Sequence, residues 1–148
     1  MREAARRETT MAMSEEVHEG SCCCGRVRFR MQGPFGTFSH CHCTDCRKSH
    51  GAAFATYIGV GRARFGFLQG EGEVGSFTTA TGTRRGFCRN CGSSLTGTVA
   101  SEPDMIYIAA GTLDTPLRLK PEYHIFIRSQ VPWLDLQDGL PQHREFAE

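Results

Sequence analysis

Hydrophobic and polar residues alternate along much of the chain in the pattern typical of β-strands. The clearest example is Val27, Phe29 and Met31, which alternate with Arg28 and Arg30. This period of two predicts a strand with one buried and one exposed face. Other short segments are rich in β-branched and aromatic residues and are separated by Gly, Pro or Asp clusters. We therefore predict a mainly β domain with further strands at residues 54–60, 64–68, 75–79, 84–87, 95–99, 105–109 and 123–127.

One internal segment has the signals of a short helix. Thr44 or Asp45 could cap its start and Gly51 could end it, which predicts a helix over residues 45–50. Residues 1–16 are polar and charged, and we expect them to be a dispensable tail that could form a frayed helix. The domain is expected over residues 17–141, followed by a C-terminal tail at residues 142–148. Trp133 is expected to pack against the domain.

Composition and charge exclude several classes of protein. The chain has 148 residues, the size of one domain, and its net charge of +1 comes with scattered Arg residues rather than a basic stripe. No apolar run approaches the roughly 20 residues that a membrane span needs, and the N-terminus has no apolar core of a secretory signal. We therefore expect a cytoplasmic protein with no nucleic-acid or membrane partner. These features make no prediction of the oligomeric state.

The eight cysteines fall into three groups whose spacing is typical of metal ligands. A reducing cytoplasm keeps thiols free, so disulfides are not expected. Cys22, Cys24, Cys88 and Cys91 supply four thiolates, which predicts a closed tetrahedral zinc site that stabilises the fold. A glycine follows both Cys24 and Cys91, as knuckle turns with a positive φ require. Cys23 lies between two ligands and is expected to be a spare buried thiol.

The second group, Cys41, Cys43 and Cys46, has too few thiolates to complete a tetrahedron. Zinc with three protein ligands keeps a fourth position for substrate, which is typical of catalytic sites. Such a site carries a net charge of about −1, which favours holding a substrate thiol and lowering its pKa. A histidine could instead close the site, although alternation along an extended segment should point His42 away and leave the nearby histidines as packed or outer groups. The three candidates for closing it are His40, His42 and His50.

Each cysteine group lies within a longer motif. The motifs read GSCxCGxVxF at residues 20–29, HCxCxxCRK at residues 40–48 and FCxxCGSxL at residues 87–95. Further similarity lies in GTLD at residues 111–114, in PxxHI at residues 121–125, and in the pair Pro132 and Trp133. Together, over residues 17–141, they resemble the glutathione-dependent formaldehyde-activating enzyme family, which also includes centromere protein V.

This resemblance implies both a fold and an activity. The fold is a β-tent of small antiparallel sheets clamped by zinc knuckles, with few short helices, and is shared with methionine-R-sulfoxide reductase B. The resemblance implies two zinc ions per chain, a structural one on the four-cysteine group and a catalytic one on Cys41, Cys43 and Cys46. The implied activity is S-(hydroxymethyl)glutathione synthase, a carbon–sulfur lyase that joins formaldehyde to glutathione. The expected partners are therefore glutathione or a similar thiol and a small carbonyl compound.

Basic residues close to the cysteines could bind the two carboxylates of glutathione. Arg47 and Lys48 directly follow the second motif's last cysteine, and Arg84 and Arg85 precede the third motif. Each of these four could equally be a solvated surface charge. His124 could donate a proton to the nascent alkoxide, or it could be a packed strand residue.

Two other functions are compatible with the same cysteines. A non-catalytic zinc-binding structural or interaction module would keep the metal sites, although the net charge of +1 argues against the basic extension usual for such modules. A methionine sulfoxide reductase would need a redox-active cysteine outside the zinc ligands, and Cys23 is the candidate. Only tests of chemistry separate these functions, because a fold does not determine a reaction.

Overall fold

The computed structural model describes residues 16–148, which form ten β-strands and one α-helix. The helix α1 (Thr44–His50) lies between the third and fourth strands. The strands are β1 (Val17–Ser21), β2 (Arg28–Gln32), β3 (Phe35–Cys41), β4 (Ala55–Gly61), β5 (Phe65–Gln69), β6 (Val74–Thr78), β7 (Thr83–Cys88), β8 (Ser94–Val99), β9 (Met105–Ala109) and β10 (Tyr123–Ile125).

The strands form two sheets. A three-stranded sheet has the order β1-β2-β5, and a seven-stranded sheet has the order β10-β3-β4-β9-β8-β7-β6. All neighbouring strands are antiparallel except β10 and β3, which run parallel with His124 beside His40. The prediction of a mainly β fold with few short helices is confirmed.

The main hydrophobic core contains side chains from both sheets. Phe29 and Met31 of β2 cluster with Ile58, Leu95 and Ile108 of the larger sheet, and all five are fully buried. The two arginines that alternate with them on β2 are exposed, so the predicted alternation is confirmed. Burying a side chain of this size contributes about 1.5–3 kcal/mol, and this core therefore holds the two sheets together.

Two of the observed strands were not predicted, because neither has a clear alternation of hydrophobic and polar residues. β1 reads VHEGS, and β3 reads FGTFSHC, with small and polar residues inside each segment. β3 is nevertheless a strand because β4 pairs along one of its edges and β10 along the other. It ends at Cys41, the first cysteine of the second group.

The helix α1 begins one residue earlier than predicted, and its cap differs from the prediction. Cys43, rather than Thr44 or Asp45, is the N-cap residue, and its sulfur accepts a hydrogen bond from the backbone N–H of Cys46 at 3.2 Å. A thiol can therefore fill the capping role that is usual for Ser, Thr, Asp or Asn. Gly51 ends the helix with a left-handed φ of 57°, as predicted.

The segment after β10 corrects one further expectation. Trp133 is 72% exposed, so the prediction that it packs on the domain is wrong. Gln130 Nε2 donates to the carbonyl of Leu134 at 2.8 Å, and the turn that this bond closes presents the indole to solvent. Further along, the backbone of His143 donates to the carbonyl of His124 at 2.9 Å, and residues 141–145 thereby run beside β10.

Residues 1–15, which include most of the predicted N-terminal tail, lie outside the described residues. Among residues 16–148, no helix is long and apolar enough to cross a membrane.

Candidate metal centres

The first cysteine cluster joins two turns that are far apart in sequence. The sulfurs of Cys22, Cys24, Cys88 and Cys91 all lie within 4.8 Å of one another. The turn after β1 supplies the first pair, and the turn after β7 supplies the second. Cys22 and Cys88 are buried, whereas Cys24 and Cys91 are exposed at the rim.

Both turns have the backbone geometry of a metal knuckle. Gly25 and Gly92 adopt φ values of 78° and 79°, in the left-handed region that glycine favours. Their backbone N–H groups donate to the carbonyls of Cys22 and Cys88 at 3.0 and 2.8 Å. The N–H of Val27 donates to the sulfur of Cys22 at 3.2 Å. The glycines therefore have the role expected from the sequence.

The sulfur spacing of this cluster fits a tetrahedral zinc ion. With Zn–S bonds of about 2.3 Å, two sulfurs of a regular tetrahedron lie about 3.8 Å apart. The sulfurs of Cys22 and Cys24 are 3.5 Å apart, and those of Cys24 and Cys88 are 3.8 Å apart. Four thiols at this spacing match the ligand set of a structural zinc site.

Cys23 differs from its two neighbours. It is exposed, so the prediction of a spare buried thiol is wrong. Its backbone N–H donates to the Ser93 hydroxyl at 2.9 Å. That contact holds the turn next to the second knuckle, while the side chain of Cys23 turns outward because both adjacent sulfurs point into the cluster.

The second cluster lies where β3 passes into α1. The sulfurs of Cys41, Cys43 and Cys46 lie within 4.8 Å of one another. Cys41 is the last residue of β3, Cys43 caps the helix, and Cys46 lies in its first turn. Within the described chain, no histidine nitrogen joins this set of three sulfurs.

The histidines that could have closed this cluster all bind elsewhere. His40 Nδ1 lies 2.7 Å from the Thr56 hydroxyl, and His50 Nε2 lies 2.8 Å from the Tyr57 hydroxyl. His42 Nε2 lies 2.8 Å from His124 Nδ1. The three-sulfur group therefore has the composition of a site with an open fourth position.

The thiols of the second cluster share protons unequally. Hydrogen bonds from Cys41 and then Cys46 lower the pKa of Cys43 to about 2. The pKa of Cys41 is raised, because it donates to Cys43 and because it is buried. Within this group, negative charge is therefore favoured on the sulfur of Cys43. A metal ion that takes all three sulfurs would displace the remaining protons.

Arg85 supplies a buried positive charge beside this cluster. It lies on β7 and is 8% exposed. One guanidinium nitrogen donates to the sulfur of Cys46 at 3.3 Å, and another donates to the Tyr57 hydroxyl at 2.8 Å. Burial raises the pKa of Tyr57 to about 12, so the phenol stays neutral. Arg85 is therefore the cation that offsets the negative charge of the thiolates.

The other three basic residues proposed from the sequence have different surroundings. Arg47 is half-buried on α1, and its guanidinium donates to the Thr44 hydroxyl at 3.4 Å. Lys48 and Arg84 are exposed. Of the four candidates, only Arg85 hydrogen-bonds to a cysteine of either cluster in the described chain. Arg47 and Lys48 were candidates because they follow Cys46 directly in the sequence, whereas the register of β7 brings Arg85 to the site.

Histidines and an aspartate form a third polar group that the sequence analysis did not identify. His124 is fully buried. Its Nδ1 faces His42, and its Nε2 donates to the carboxylate of Asp138 at 2.7 Å. His40 Nδ1 binds Thr56, and the His40 and His124 rings lie 4.8 Å apart. Asp138 was missed because it lies in an irregular segment with no motif around it.

A cleft of about 480 Å³ lies near both cysteine clusters. Its lining includes His50 and Phe54 from one side, Cys91 and Ser93 from the second knuckle, and Thr112 beyond β9. The volume is within the range typical of small-molecule sites, about 300–1,000 Å³. None of the three sulfurs of the second cluster lines this cleft.

The sequence profile of the glutathione-dependent formaldehyde-activating enzyme family matches residues 17–129. The chain belongs to this family. A protein of Halomonas elongata is 30% identical to this chain over 138 residues. Its provisional name is glutathione-dependent formaldehyde-activating enzyme. That alignment covers 87% of this chain and 86% of the Halomonas protein.

The solved structure of another protein shares the fold of this chain. It is the crystal structure of a Rhodobacter sphaeroides protein determined by structural genomics. The two structures superpose with a TM-score of 0.57 and 21% sequence identity, over 70% of this chain and 91% of the other. Family membership supports an enzymatic role that involves glutathione and formaldehyde, and the two cysteine clusters could each hold a metal ion.

Proposed function

We propose that this protein is a zinc-dependent carbon–sulfur lyase of the S-(hydroxymethyl)glutathione synthase type. It would add the thiol of glutathione, or of a similar molecule, to formaldehyde or a related small carbonyl compound. The observation that carries the proposal is the group of three sulfurs, Cys41, Cys43 and Cys46, which has no fourth protein ligand in the described chain and lies beside the buried Arg85. A second zinc ion on the four-cysteine cluster would serve the fold.

The proposed reaction forms one carbon–sulfur bond. The substrate sulfur attacks the carbonyl carbon, the π electrons of the C=O bond move to oxygen, and the thiol proton ends on that oxygen by way of solvent. No oxidant or reductant is required. Zinc held by the three cysteines would lower the pKa of the substrate thiol and keep it deprotonated at neutral pH. Holding the two reactants together supplies further acceleration.

In this proposal, Arg85 compensates part of the negative charge at the three-sulfur group. Three thiolates and one Zn²⁺ carry a net charge of about −1, so a substrate thiolate would raise the negative charge further. The guanidinium of Arg85 contacts Cys46 and offsets one unit of that charge. The contact is buried, where solvent screens charges less than at the surface. Arg85 is therefore expected to favour the thiolate form of a bound substrate.

The proposed activity can be measured as exchange between glutathione and its hydroxymethyl adduct. With formaldehyde present, two-dimensional NMR exchange spectroscopy should show faster interconversion with the protein than in buffer alone. The variant Cys23→Ser is a matched control, because Cys23 is exposed and lies outside both clusters. It should retain the full acceleration. No acceleration at high protein concentration would refute the lyase proposal and favour a non-catalytic zinc module.

Replacing Arg85 with Gln should weaken turnover more than folding. We expect kcat/KM to fall about 10- to 100-fold, equal to about 1.4–2.7 kcal/mol. The pH at which activity reaches half its maximum should rise, because the substrate thiolate loses a neighbouring cation. Arg85→Lys should restore part of the loss. The exposed Arg30→Gln removes the same charge from the outer face of β2 and should change neither quantity. An unshifted pH profile in Arg85→Gln would contradict this role.

Two parts of the proposal concern the setting of the protein. We propose two zinc ions per chain, one for each cysteine cluster. We also propose a cytoplasmic location, since the chemistry needs reduced thiols and reducing compartments maintain them. Glutathione or a similar thiol and a small carbonyl compound remain the proposed partners.

A further inference from the structure

We propose that His40, His124 and Asp138 form a third metal site, separate from both cysteine clusters, for a divalent first-row transition ion. One nitrogen from each histidine and one carboxylate oxygen lie within 4.8 Å of one another. Two imidazoles and one carboxylate are a ligand set that suits zinc, cobalt or iron and leaves coordination positions for water or another small ligand. The proposed lyase activity does not use this site.

The backbone places the two histidines side by side. β10 runs parallel to β3, and the register sets His124 opposite His40. Their rings are 4.8 Å apart. Phe54 packs against both rings, with centroid distances of 4.6 Å to His40 and 5.8 Å to His124. The histidines are therefore held by the sheet and by an aromatic neighbour, which limits the rotamer entropy lost on binding an ion.

Each proposed ligand also has the outer hydrogen bond typical of a metal site. Metal-binding histidines almost always use the second ring nitrogen in a hydrogen bond that fixes the ring. Here His40 Nδ1 lies 2.7 Å from the Thr56 hydroxyl, and His124 Nδ1 lies 2.8 Å from His42 Nε2. The second carboxylate oxygen of Asp138 accepts from the backbone N–H of residue 140 at 3.0 Å. One ligand atom from each of the three residues lies within 4.8 Å of the other two.

Access and ligand spacing are compatible with binding from solvent. The side chain of Asp138 is 40% exposed, whereas that of His124 is fully buried. In the structure, His124 Nε2 and the Asp138 oxygen form a hydrogen bond of 2.7 Å. Two ligands about 2.0 Å from a tetrahedral ion lie about 3.3 Å apart. The exposed carboxylate would therefore move outward by about half an ångström on binding.

Binding an ion would also change a tautomer. His124 Nε2 donates to the carboxylate of Asp138, and His124 Nδ1 lies 2.8 Å from His42 Nε2. As a metal ligand, His124 Nε2 needs a free lone pair, and its proton would reside on Nδ1. His124 Nδ1 could then donate to His42 Nε2, which lies 2.8 Å away.

Cobalt titration of the zinc-loaded full chain tests the proposal. Its cysteine clusters are occupied by zinc, which thiolates prefer over cobalt. Adding Co²⁺ should fill one further site with visible d–d bands and no intense near-ultraviolet sulfur-to-cobalt transition. In nitrogen-15 spectra, added Zn²⁺ should shift the signal of His124 Nε2. Neither readout depends on lyase activity, so this proposal and the proposed function can fail separately.

Matched variants assign the binding to the named residues. Asp138→Asn should weaken Co²⁺ binding at least tenfold, whereas Asp135→Asn, another aspartate of the same segment, should bind like the unaltered protein. Thr56→Val keeps the side-chain shape and should weaken binding about 10- to 100-fold, which provides a second test if Asp138→Asn does not fold. Absence of sulfur-free cobalt binding, or equal binding by both aspartate variants, would overturn the proposal.

Discussion

Cys88→Ser is expected to unfold the domain. Cys88 is fully buried in the four-cysteine cluster that ties the turn after β1 to the turn after β7. Structural zinc in small domains contributes about 10–16 kcal/mol to folding, whereas a whole domain is stable by only about 5–15 kcal/mol. Loss of one ligand should therefore remove more free energy than the fold has in reserve. Far-ultraviolet circular dichroism should show loss of strand structure, and metal analysis should show loss of zinc.

Cys23→Ser is the matched control for this experiment. It changes a cysteine in the same turn, but the side chain is exposed and lies outside the cluster. This variant should melt cooperatively with the unaltered midpoint and keep its zinc. A Cys88→Ser protein that melts within a few degrees of the unaltered protein would show that the four-cysteine cluster does not hold the fold.

Cys43→Ser is expected to leave the domain folded and to abolish the lyase activity. Serine is a good N-cap residue, and its hydroxyl can accept the hydrogen bond that Cys43 now accepts from the Cys46 backbone. The helix should therefore survive, while the three-sulfur group loses one ligand. Metal analysis should find one zinc ion per chain in place of two, and the glutathione exchange rate should fall to that of buffer.

The two serine variants together test the division of labour between the clusters. If Cys43→Ser unfolds like Cys88→Ser, the second cluster is structural rather than catalytic. Full exchange activity in a Cys43→Ser protein that has lost one zinc ion would place the chemistry outside the three-sulfur group. Because the same substitution is made in both clusters, the change in side-chain chemistry is identical.

Local patterns predicted part of this structure well. The alternation on β2 indicated its buried face, because the hydrophobic residues of a half-buried strand all lie on the side that faces the core. The cysteine groups likewise converge as their spacing suggested, and Gly25 and Gly92 have the positive φ that their positions required. In each case the information lies within a few consecutive residues.

Features that depend on pairing between distant segments were harder to predict. β3 has no clear alternation and is a strand because its neighbours pair with it. Arg85 is 39 residues from Cys46 and reaches it through the register of β7, which no local pattern encodes. Asp138 joins the histidines from an irregular segment. The cap of α1 escaped prediction because cysteine is an unusual N-cap residue.

The parallel pairing of β10 with β3 has a consequence for the time course of synthesis. The four-cysteine cluster has all its ligands once residue 91 has left the ribosome. The segment that carries Cys41 and Cys43 needs a partner strand that is made later. Ile125 pairs with Cys41, and the carbonyl of Ile125 accepts from the backbone N–H of His42 at 3.0 Å. Contacts between such distant residues form slowly, and synthesis delivers the earlier segments first. Under the proposed function, a metal ion on the four-cysteine cluster is therefore expected to bind during translation, and one on the three-sulfur group after it.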